Sequence, residues 1–412
     1  MQFSEMSRQA IILAGGKGTR LRTVVSDLPK PMAPVNGRPF LEFILDDLVE
    51  YGFDSVVLAV GYKYEIIQDH FGQAYRGMNI YYSIENKPLG TGGAIKLAFD
   101  KITSDVALVI NGDTYFKYNP LPLYEFRKYL REMPIVALKH LMDFDRYGAV
   151  ELDSNFKIKE FREKSYRKEG YINAGVYLID YTVFKDISDD VFSFEKEILE
   201  SKSIPWHGFP QSGYFKDIGI PTDYQQFQLD DISEAFSKTK QIDKSWTLFL
   251  DRDGVINKRK VGGYIQTVDE FEFLPGAKEA ISEFSKIFGR IIIVTNQQGI
   301  GKGLFHENDL QQIHTYMVEQ IRQSSGRIDA IHYCPELAVD DPKCRKPNTG
   351  MAIEAKKQFP EIDFAKSIMI GDSPSDMEFG KRIGMKCVGV GDRVTNCDVQ
   401  VGSLGLWKIN LI

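Results

Sequence analysis

Twice in this chain a short, unbroken apolar run drives straight into a loop of residues that an ordinary turn does not need. The first run is Gln9-Ala10-Ile11-Ile12-Leu13-Ala14, followed by Gly15-Gly16-Lys17-Gly18. The second is Thr247-Leu248-Phe249-Leu250, followed by Asp251-Arg252-Asp253-Gly254. Runs of this kind mark strands buried on both faces, the pattern of parallel sheets covered by helices. More follow each of them: Ser55–Val60 and Val106–Ile110 in the first half, Arg290–Val294 and Ser367–Ile370 in the second. They alternate with amphipathic stretches such as Ala277–Phe284. Both halves are therefore predicted to be α/β, with ligands gathered beyond the carboxyl ends of the strands.

At 412 residues the chain is long enough for two such cores. A polar stretch without strand signal, residues 229–245, reads as a connector between domains spanning 1–228 and 246–412. Apolar residues make up 43% and charged residues 26%, which excludes a disordered or low-complexity protein. The net charge of −6 speaks against nucleic acid as a partner, because such binding rests on neutralising phosphates. No apolar run approaches the length of a membrane span, and Met1–Arg8 does not open a secretory signal. The four cysteines, Cys334, Cys344, Cys387 and Cys397, are too few for a disulfide framework. Together these features predict a cytoplasmic protein; assembly state, a homo-oligomer included, is left open.

In the first half, Leu13-Ala14-Gly15-Gly16-Lys17-Gly18-Thr19-Arg20-Leu21 ends a strand with three glycines in four positions. Glycine lets backbone N–H groups close on phosphates. Arg20 and Lys30 add positive charge suited to a leaving pyrophosphate. A second Gly-rich turn, Pro88-Leu89-Gly90-Thr91-Gly92-Gly93-Ala94, precedes a helix. Asn111-Gly112-Asp113 ends an apolar strand, and Lys216-Asp217 offers another carboxylate far along the chain. Mg²⁺ commonly takes one or two carboxylates and leaves its other positions to water and phosphate.

With these motifs, and with Pro29-Lys30-Pro31, Phe161-Arg162-Glu163-Lys164 and Asn173-Ala174-Gly175, residues 8–225 resemble the sugar-1-phosphate nucleotidyltransferase family. The resemblance implies a Rossmann-like, GT-A-like mixed sheet. It also implies attack of a sugar 1-phosphate oxygen on the α-phosphorus of a nucleoside triphosphate, releasing pyrophosphate. Leu13, Ala14, Gly15, Gly16, Gly18, Thr19, Gly90, Thr91 and Asp113 would line the nucleotide, and Arg20 and Lys30 would neutralise phosphate charge. Asp113 and Asp217 would hold Mg²⁺, while Gly148, Glu163, Lys164 and Asn173 would meet the sugar phosphate. Ser165 follows Glu163-Lys164 where the family often has proline. Within the family, Arg38–Glu42, Tyr81–Glu85 and Arg146-Tyr147-Gly148 look most like the D-glycero-D-manno-heptose 1-phosphate guanylyltransferases. There Glu85 could accept from guanine N1–H and its 2-amino group, a pairing that uracil and thymine do not offer. GTP is accordingly the expected nucleotide.

In the second half, Asp251 and Asp253 at a strand end can divide labour between attack on phosphorus and proton transfer. Val294-Thr295-Asn296-Gln297-Gln298-Gly299, Cys344-Arg345-Lys346-Pro347 and Gly371-Asp372-Ser373-Pro374-Ser375-Asp376 complete the set. Over residues 246–400 this four-part signature resembles the haloacid dehalogenase superfamily. The resemblance implies a Rossmannoid sheet, an aspartyl-phosphate on Asp251, and Asp253 as general acid and then base. Thr295 and Lys346 would bind the phosphoryl group. Mg²⁺ would sit on Asp251, the carbonyl of Asp253, and Asp372, with Asn296 and Arg345 near the sugar phosphate. The interval from Asp253 to Thr295 leaves no room for a large cap.

Asp251–Asn257, Gly263-Tyr264, Leu274–Ala277 and Arg345-Lys346-Pro347 look like the heptose 1,7-bisphosphate 7-phosphatases, with histidinol-phosphate phosphatases as the alternative. Both groups usually carry a zinc loop with Cys-x-His before Cys-x-Cys. Here Cys334-Pro335-Glu336 lacks the histidine and Pro342-Lys343-Cys344 lacks one cysteine, so a zinc-free loop is expected.

The two halves complement each other, since removal of the 7-phosphate yields the sugar 1-phosphate that a guanylyltransferase would activate. Three rivals remain open. They are a transferase for mannose or glucose 1-phosphate using GTP, UTP or dTTP, a fused phosphatase of other specificity, and a regulatory protein with a degenerate transferase domain.

Overall fold

The computed structural model describes residues 7–16, 28–201, 203–211, 213–230, 242–391 and 394–407. The chain divides into two compact units between Ala235 and Phe236. Of the connector expected over 229–245, residues 231–241 lie outside the described ones, as do Gly18, Thr19 and Arg20 of the first loop.

In the first unit the all-apolar runs become adjacent strands, as their burial requires. Strands β1 (Gln9–Leu13), β2 (Pro34–Val35), β3 (Arg38–Pro39), β4 (Ser55–Val60), β5 (Ala74–Tyr75), β6 (Met78–Ile84) and β7 (Ala107–Asn111) come first. Then follow β8 (Thr114–Lys117), β9 (Ile135–Phe144), β10 (Ala149–Leu152), β11 (Ile158–Phe161), β12 (Arg167–Ile179), β13 (His207–Gln211) and β14 (Tyr214–Asp217). The main sheet runs β11-β10-β12-β7-β1-β4-β6-β5, with β9 and β13 attached beside β12. Strands β7, β1, β4 and β6 are parallel, whereas β12 joins β7 antiparallel, so the sheet is mixed. Every residue of β4 is buried. The carboxyl ends of β1 and β7 lie side by side, because Leu13 pairs with Asn111.

The second unit is a six-stranded, all-parallel sheet built from β15 (Thr247–Leu250), β16 (Arg290–Asn296), β17 (Ala330–Cys334), β18 (Ser367–Gly371), β19 (Lys386–Val390) and β20 (Val399–Val401). Its order, β17-β16-β15-β18-β19-β20, puts β15 at the centre with β16 and β18 on either side. Helix Ala277–Ile287 buries Ala277, Ile281 and Phe284, the spacing of one helical face. Each large apolar side chain so buried contributes roughly 1.5–3 kcal/mol. Helix Glu307–Gln323 buries Leu310, Ile313, Met317 and Ile321 and carries His314 within the same stripe. Between Asp253 and Thr295 there are only a short 3₁₀ turn, that first helix and β16, so no large cap is inserted there. No described helix is long and apolar enough to cross a membrane.

Candidate active sites

The sheet of the first unit opens on a cleft of about 830 Å³, a size suited to a small ligand. Leu13, Gly15, Gly16, Lys30, Glu85, Gly90, Thr91 and Asp113 line it, so five separated stretches of motif converge there. Ala14 does not line the cleft; it is buried, with its N–H donating to the Ala59 carbonyl. Gly90 and Thr91 open helix Gly90–Ala98, so its amino end lies at the cleft; the Gly92 N–H there donates to the Phe192 carbonyl at 3.0 Å.

The charged centre is Lys30 with Asp113 and Asp217. Lys30 is buried and its Nζ donates to Asp113 Oδ2 at 2.7 Å. Asp217 ends β14, which pairs with β8 directly after Asp113. Burial and the neighbouring Asp113 charge push the Asp217 carboxyl above its ordinary range. Two carboxylates that repel one another, answered by one lysine, make a hard-oxygen donor set fit for a divalent cation. In the same cleft Asn111 Oδ1 is buried without a hydrogen-bond partner.

The sugar-side residues are assembled by strand register. Ala149 pairs with Ile172 and Val150 with Phe161, which sets Gly148 between Asn173 and the turn of Glu163 and Lys164. Asn173 donates from Nδ2 to the Tyr177 hydroxyl at 2.9 Å and accepts the Gly175 N–H. Gly175 has φ +72°, and a Cβ there would come within 2.8 Å of Asn111 Nδ2. Glycine thus lets the Asn173 segment close against the end of β7. Glu163 and Lys164 are exposed.

Glu85 Oε2 accepts the Leu89 N–H at 2.8 Å, and burial raises its pKa. Motif reading missed Glu195, which lines the same cleft and accepts from the Thr91 hydroxyl at 2.6 Å and the Ser193 hydroxyl at 3.0 Å. No motif surrounds it, and it meets Thr91 only through folding.

In the second unit a cavity of about 400 Å³ is lined by Asp251, Asp253, Thr295, Asn296, Arg345, Lys346 and Asp372, all seven expected residues. They come from the carboxyl ends of three adjacent parallel strands and the loop before helix Gly350–Gln358. Lys346 is the brace. Its Nζ donates to Asp251 Oδ1 and the Val294 carbonyl, both at 2.7 Å, and stands 2.6 Å from Asp376 Oδ1. Burial opposes its charge, but the two carboxylates outweigh that and hold its pKa up. Burial in turn pushes the Asp251 carboxyl up to about 7, against the pull of Lys346.

Carboxylate oxygens of Asp251, Asp372 and Asp376 lie within 4.8 Å of one another, a cluster able to hold a hard cation. Gly254, at φ +93°, makes room for it: a Cβ there would meet Asp372 Oδ2 at 2.1 Å. The side chain of Asp253 is not part of this cluster. Its oxygens accept from Arg252, Asn257 and Gln297 at 2.8–3.0 Å. Burial alone would raise its pKa, but Arg252 and the amide donors prevail and lower it.

Two further features were not legible in the motifs. Cys334 and Cys344 form a disulfide with Cα atoms 5.3 Å apart, one bridge where the cysteine count speaks against a disulfide framework. The loop after β17 returns on itself and brings the two sulfurs together; Cys387 and Cys397 are free. His314, which no motif surrounds, stands with Nε2 3.2 Å from Nη1 of the fully buried Arg252. Burial and the Arg252 charge push its imidazole down to about 3. Because the unfolded value is near 6.5, this group contributes stability above pH 6.5 that is lost as pH falls toward 3. Between pH 7 and pH 5 the loss is about 2 kcal/mol. Urea unfolding followed by tryptophan fluorescence in a Trp206→Phe background, which leaves Trp246 and Trp407 of the second unit, should show it. Adding His314→Gln should remove this part of the acid destabilisation; an unchanged pH dependence would mean His314 protonates freely in the fold.

The nucleotidyl transferase family model matches residues 9–234, and a HAD-hydrolase-like model matches residues 343–399. Over 225 residues the chain is 46% identical to the D-glycero-alpha-D-manno-heptose 1-phosphate guanylyltransferase of Aneurinibacillus thermoaerophilus, covering 54% of this chain and 97% of that protein. Over 138 residues it is 38% identical to the D-glycero-alpha-D-manno-heptose-1,7-bisphosphate 7-phosphatase of Mycobacterium bovis, covering 34% of this chain and 73% of that protein. The solved structure of HddC from Yersinia pseudotuberculosis is 34% identical, covers 54% of this chain and 98% of that one, and has a TM-score of 0.48.

Proposed function

Because this chain belongs to the nucleotidyl transferase family in its first unit and to the heptose bisphosphate 7-phosphatase family in its second, we propose that it is a bifunctional enzyme of heptose activation. It removes the 7-phosphate of D-glycero-D-manno-heptose 1,7-bisphosphate and transfers GMP from GTP to D-glycero-α-D-manno-heptose 1-phosphate. The products are phosphate, pyrophosphate and a GDP-heptose for surface glycans. The observation that carries the reading is the pairing itself: the product of one half is the substrate of the other, and both charged centres are intact. Residues 1–228 and 246–412 are the proposed catalytic domains. The proposed compartment is the cytoplasm, which supplies GTP and Mg²⁺.

In the transferase, Asp113 and Asp217 would hold the divalent cation, proposed as Mg²⁺, which neutralises phosphate charge when bound. Lys30 then turns from Asp113 to the triphosphate, joined by Arg20. The Gly15-Gly16 backbone and the amino end of helix Gly90–Ala98 cradle the phosphates, and Gly18 and Thr19 are proposed to bind the same nucleotide. Glu85 reads guanine, and Gly148, Glu163, Lys164 and Asn173 position the heptose phosphate. The work is positioning and charge stabilisation, with no covalent intermediate on the protein.

In the phosphatase, Lys346 holds Asp251 Oδ1, leaving Oδ2 to attack phosphorus and form an aspartyl phosphate. The departing sugar oxygen takes a proton from Asp253. Water then attacks the aspartyl phosphate with Asp253 as base, restoring Asp251 and releasing phosphate. Thr295 donates to the phosphoryl oxygens, and Asn296 and Arg345 meet the rest of the substrate. Asp251, Asp372 and the Asp253 carbonyl would hold a second Mg²⁺, with Asp376 beside them.

The test is a mass-spectrometric product assay with the full chain, Mg²⁺, GTP and the heptose 1,7-bisphosphate, and no other enzyme. GDP-heptose together with free phosphate is expected. Heptose 1-phosphate without GDP-heptose would overturn the choice of guanine, and no reaction would overturn the choice of heptose.

A further inference from the structure

The carboxylate of Asp253 is gripped from three other residues, and one of them also holds Thr295. Gln297 is fully buried, and its Nε2 donates to Asp253 Oδ2 at 2.8 Å and to Thr295 Oγ1 at 2.9 Å. Its amide orientation follows from chemistry: in the ionised state that Asp253 reaches once it has given up its proton, the carboxylate only accepts, so the NH₂ group must face it. The opposite atom, Oε1, is buried without a partner, so the side chain is held by these two bonds rather than by its carbonyl. The Gln297 backbone is anchored separately, its N–H donating to the Cys334 carbonyl at 2.7 Å.

On the other side of the carboxylate, Arg252 Nη2 reaches both oxygens at 3.0 and 2.9 Å, and Asn257 Nδ2 reaches Oδ1 at 2.9 Å. Arg252 is fully buried and its second nitrogen meets His314, so it cannot swing to solvent.

We infer that Gln297 is a positioning residue of the phosphatase, registering the proton-transferring Asp253 against the phosphoryl-binding Thr295, with Arg252 on His314 as the opposing clamp. The inference rests on the phosphatase reading and goes beyond it. By donating to Thr295 Oγ1, Gln297 fills an acceptor site of that hydroxyl and leaves its hydrogen to point at the phosphoryl group. By donating to Asp253 Oδ2 it fixes that oxygen at a set distance from the same group. One buried amide thus ties the atom that protonates the leaving oxygen to the atom that holds phosphorus.

The test is Gln297→Met, which keeps length and volume but donates nothing, in the full-length chain with Mg²⁺. Two esters are compared. The sugar oxygen of heptose 1,7-bisphosphate is a poor leaving group and needs its proton; p-nitrophenolate leaves without one. On kcat/KM, which counts only the steps up to departure of the leaving group, loss through Thr295 falls on both esters, whereas loss through Asp253 falls on the sugar ester alone; the later work of Asp253 as base enters kcat for both. The deficit on the heptose ester is expected to exceed that on p-nitrophenyl phosphate by at least about 30-fold, within the usual range of general acid catalysis. On the heptose ester by itself, the fall should lie in kcat, with KM held within about threefold, because Gln297 does not line the cavity.

Arg252→Lys, which keeps the charge but not the two-pronged grip, should show the same leaving-group signature and covers the case of a Gln297 variant that does not fold. Equal losses on both esters, or a fall carried by KM, would overturn the inference while leaving the phosphatase standing. A wild-type chain that hydrolyses neither ester would overturn the phosphatase reading itself.

Discussion

An Asp251→Asn enzyme is expected to release no inorganic phosphate from heptose 1,7-bisphosphate, with kcat down by more than about a thousandfold, the scale of a deleted nucleophile. The replacement has the same shape, so the cavity keeps its form. Its amide nitrogen cannot attack phosphorus, and its oxygen carries no charge to share with Lys346. The lysine still has Asp376 at 2.6 Å and the Val294 carbonyl at 2.7 Å, so its charge is not stranded in the interior. The same preparation, given GTP and heptose 1-phosphate, should release pyrophosphate within about twofold of wild type, because every transferase residue belongs to the other unit. Phosphate release above about a tenth of wild type would strip Asp251 of its role. Loss of both activities would mean that the two reactions do not have separate centres.

Asp113→Ala should produce the mirror image. It removes one of two carboxylates proposed for the cation and leaves Lys30 facing Asp217 alone. The expected loss of pyrophosphate release is roughly a thousandfold, the several kcal/mol of charge stabilisation that such an ion supplies. Phosphate release from the bisphosphate should be unaffected. Part of the lost rate should return as Mg²⁺ is raised, since Asp217 keeps a weakened site. A variant with full transferase activity would remove Asp113 from the metal site and leave its contact with Lys30 as an internal ion pair.

The carboxyl-end positions of Asp113, Asp251, Thr295 and Asp372 were legible because the apolar runs before them can only be buried strands. In parallel sheets, strand ends collect at one edge. Gly148, Glu163, Lys164 and Asn173 were legible by type but not by place, since their assembly depends on the β10–β11–β12 register. The approach of the Asn173 segment to Asn111 depends on Gly175, whose need for a left-handed φ no motif announces. The link between Arg252 and His314 was not legible at all. A histidine within a helical apolar stripe reads as packing until the fold brings a buried guanidinium to it. The same is true of Glu195 beside Thr91 and of Cys334 beside Cys344.

By itself, then, the sequence determined the two α/β units, the strand ends that carry the chemistry, and the reaction classes to which those residue types belong. Strand burial and loop chemistry are short-range properties, written in runs of four to ten residues. Only the tertiary structure decided which charges answer which. It set Lys346 between Asp251 and Asp376, turned Asp253 toward Arg252, Asn257 and Gln297, and set Asp217 beside Asp113. Those choices follow from desolvation: a buried charge must be met by whatever partner packing brings within about 3 Å, and packing joins residues that the chain keeps far apart.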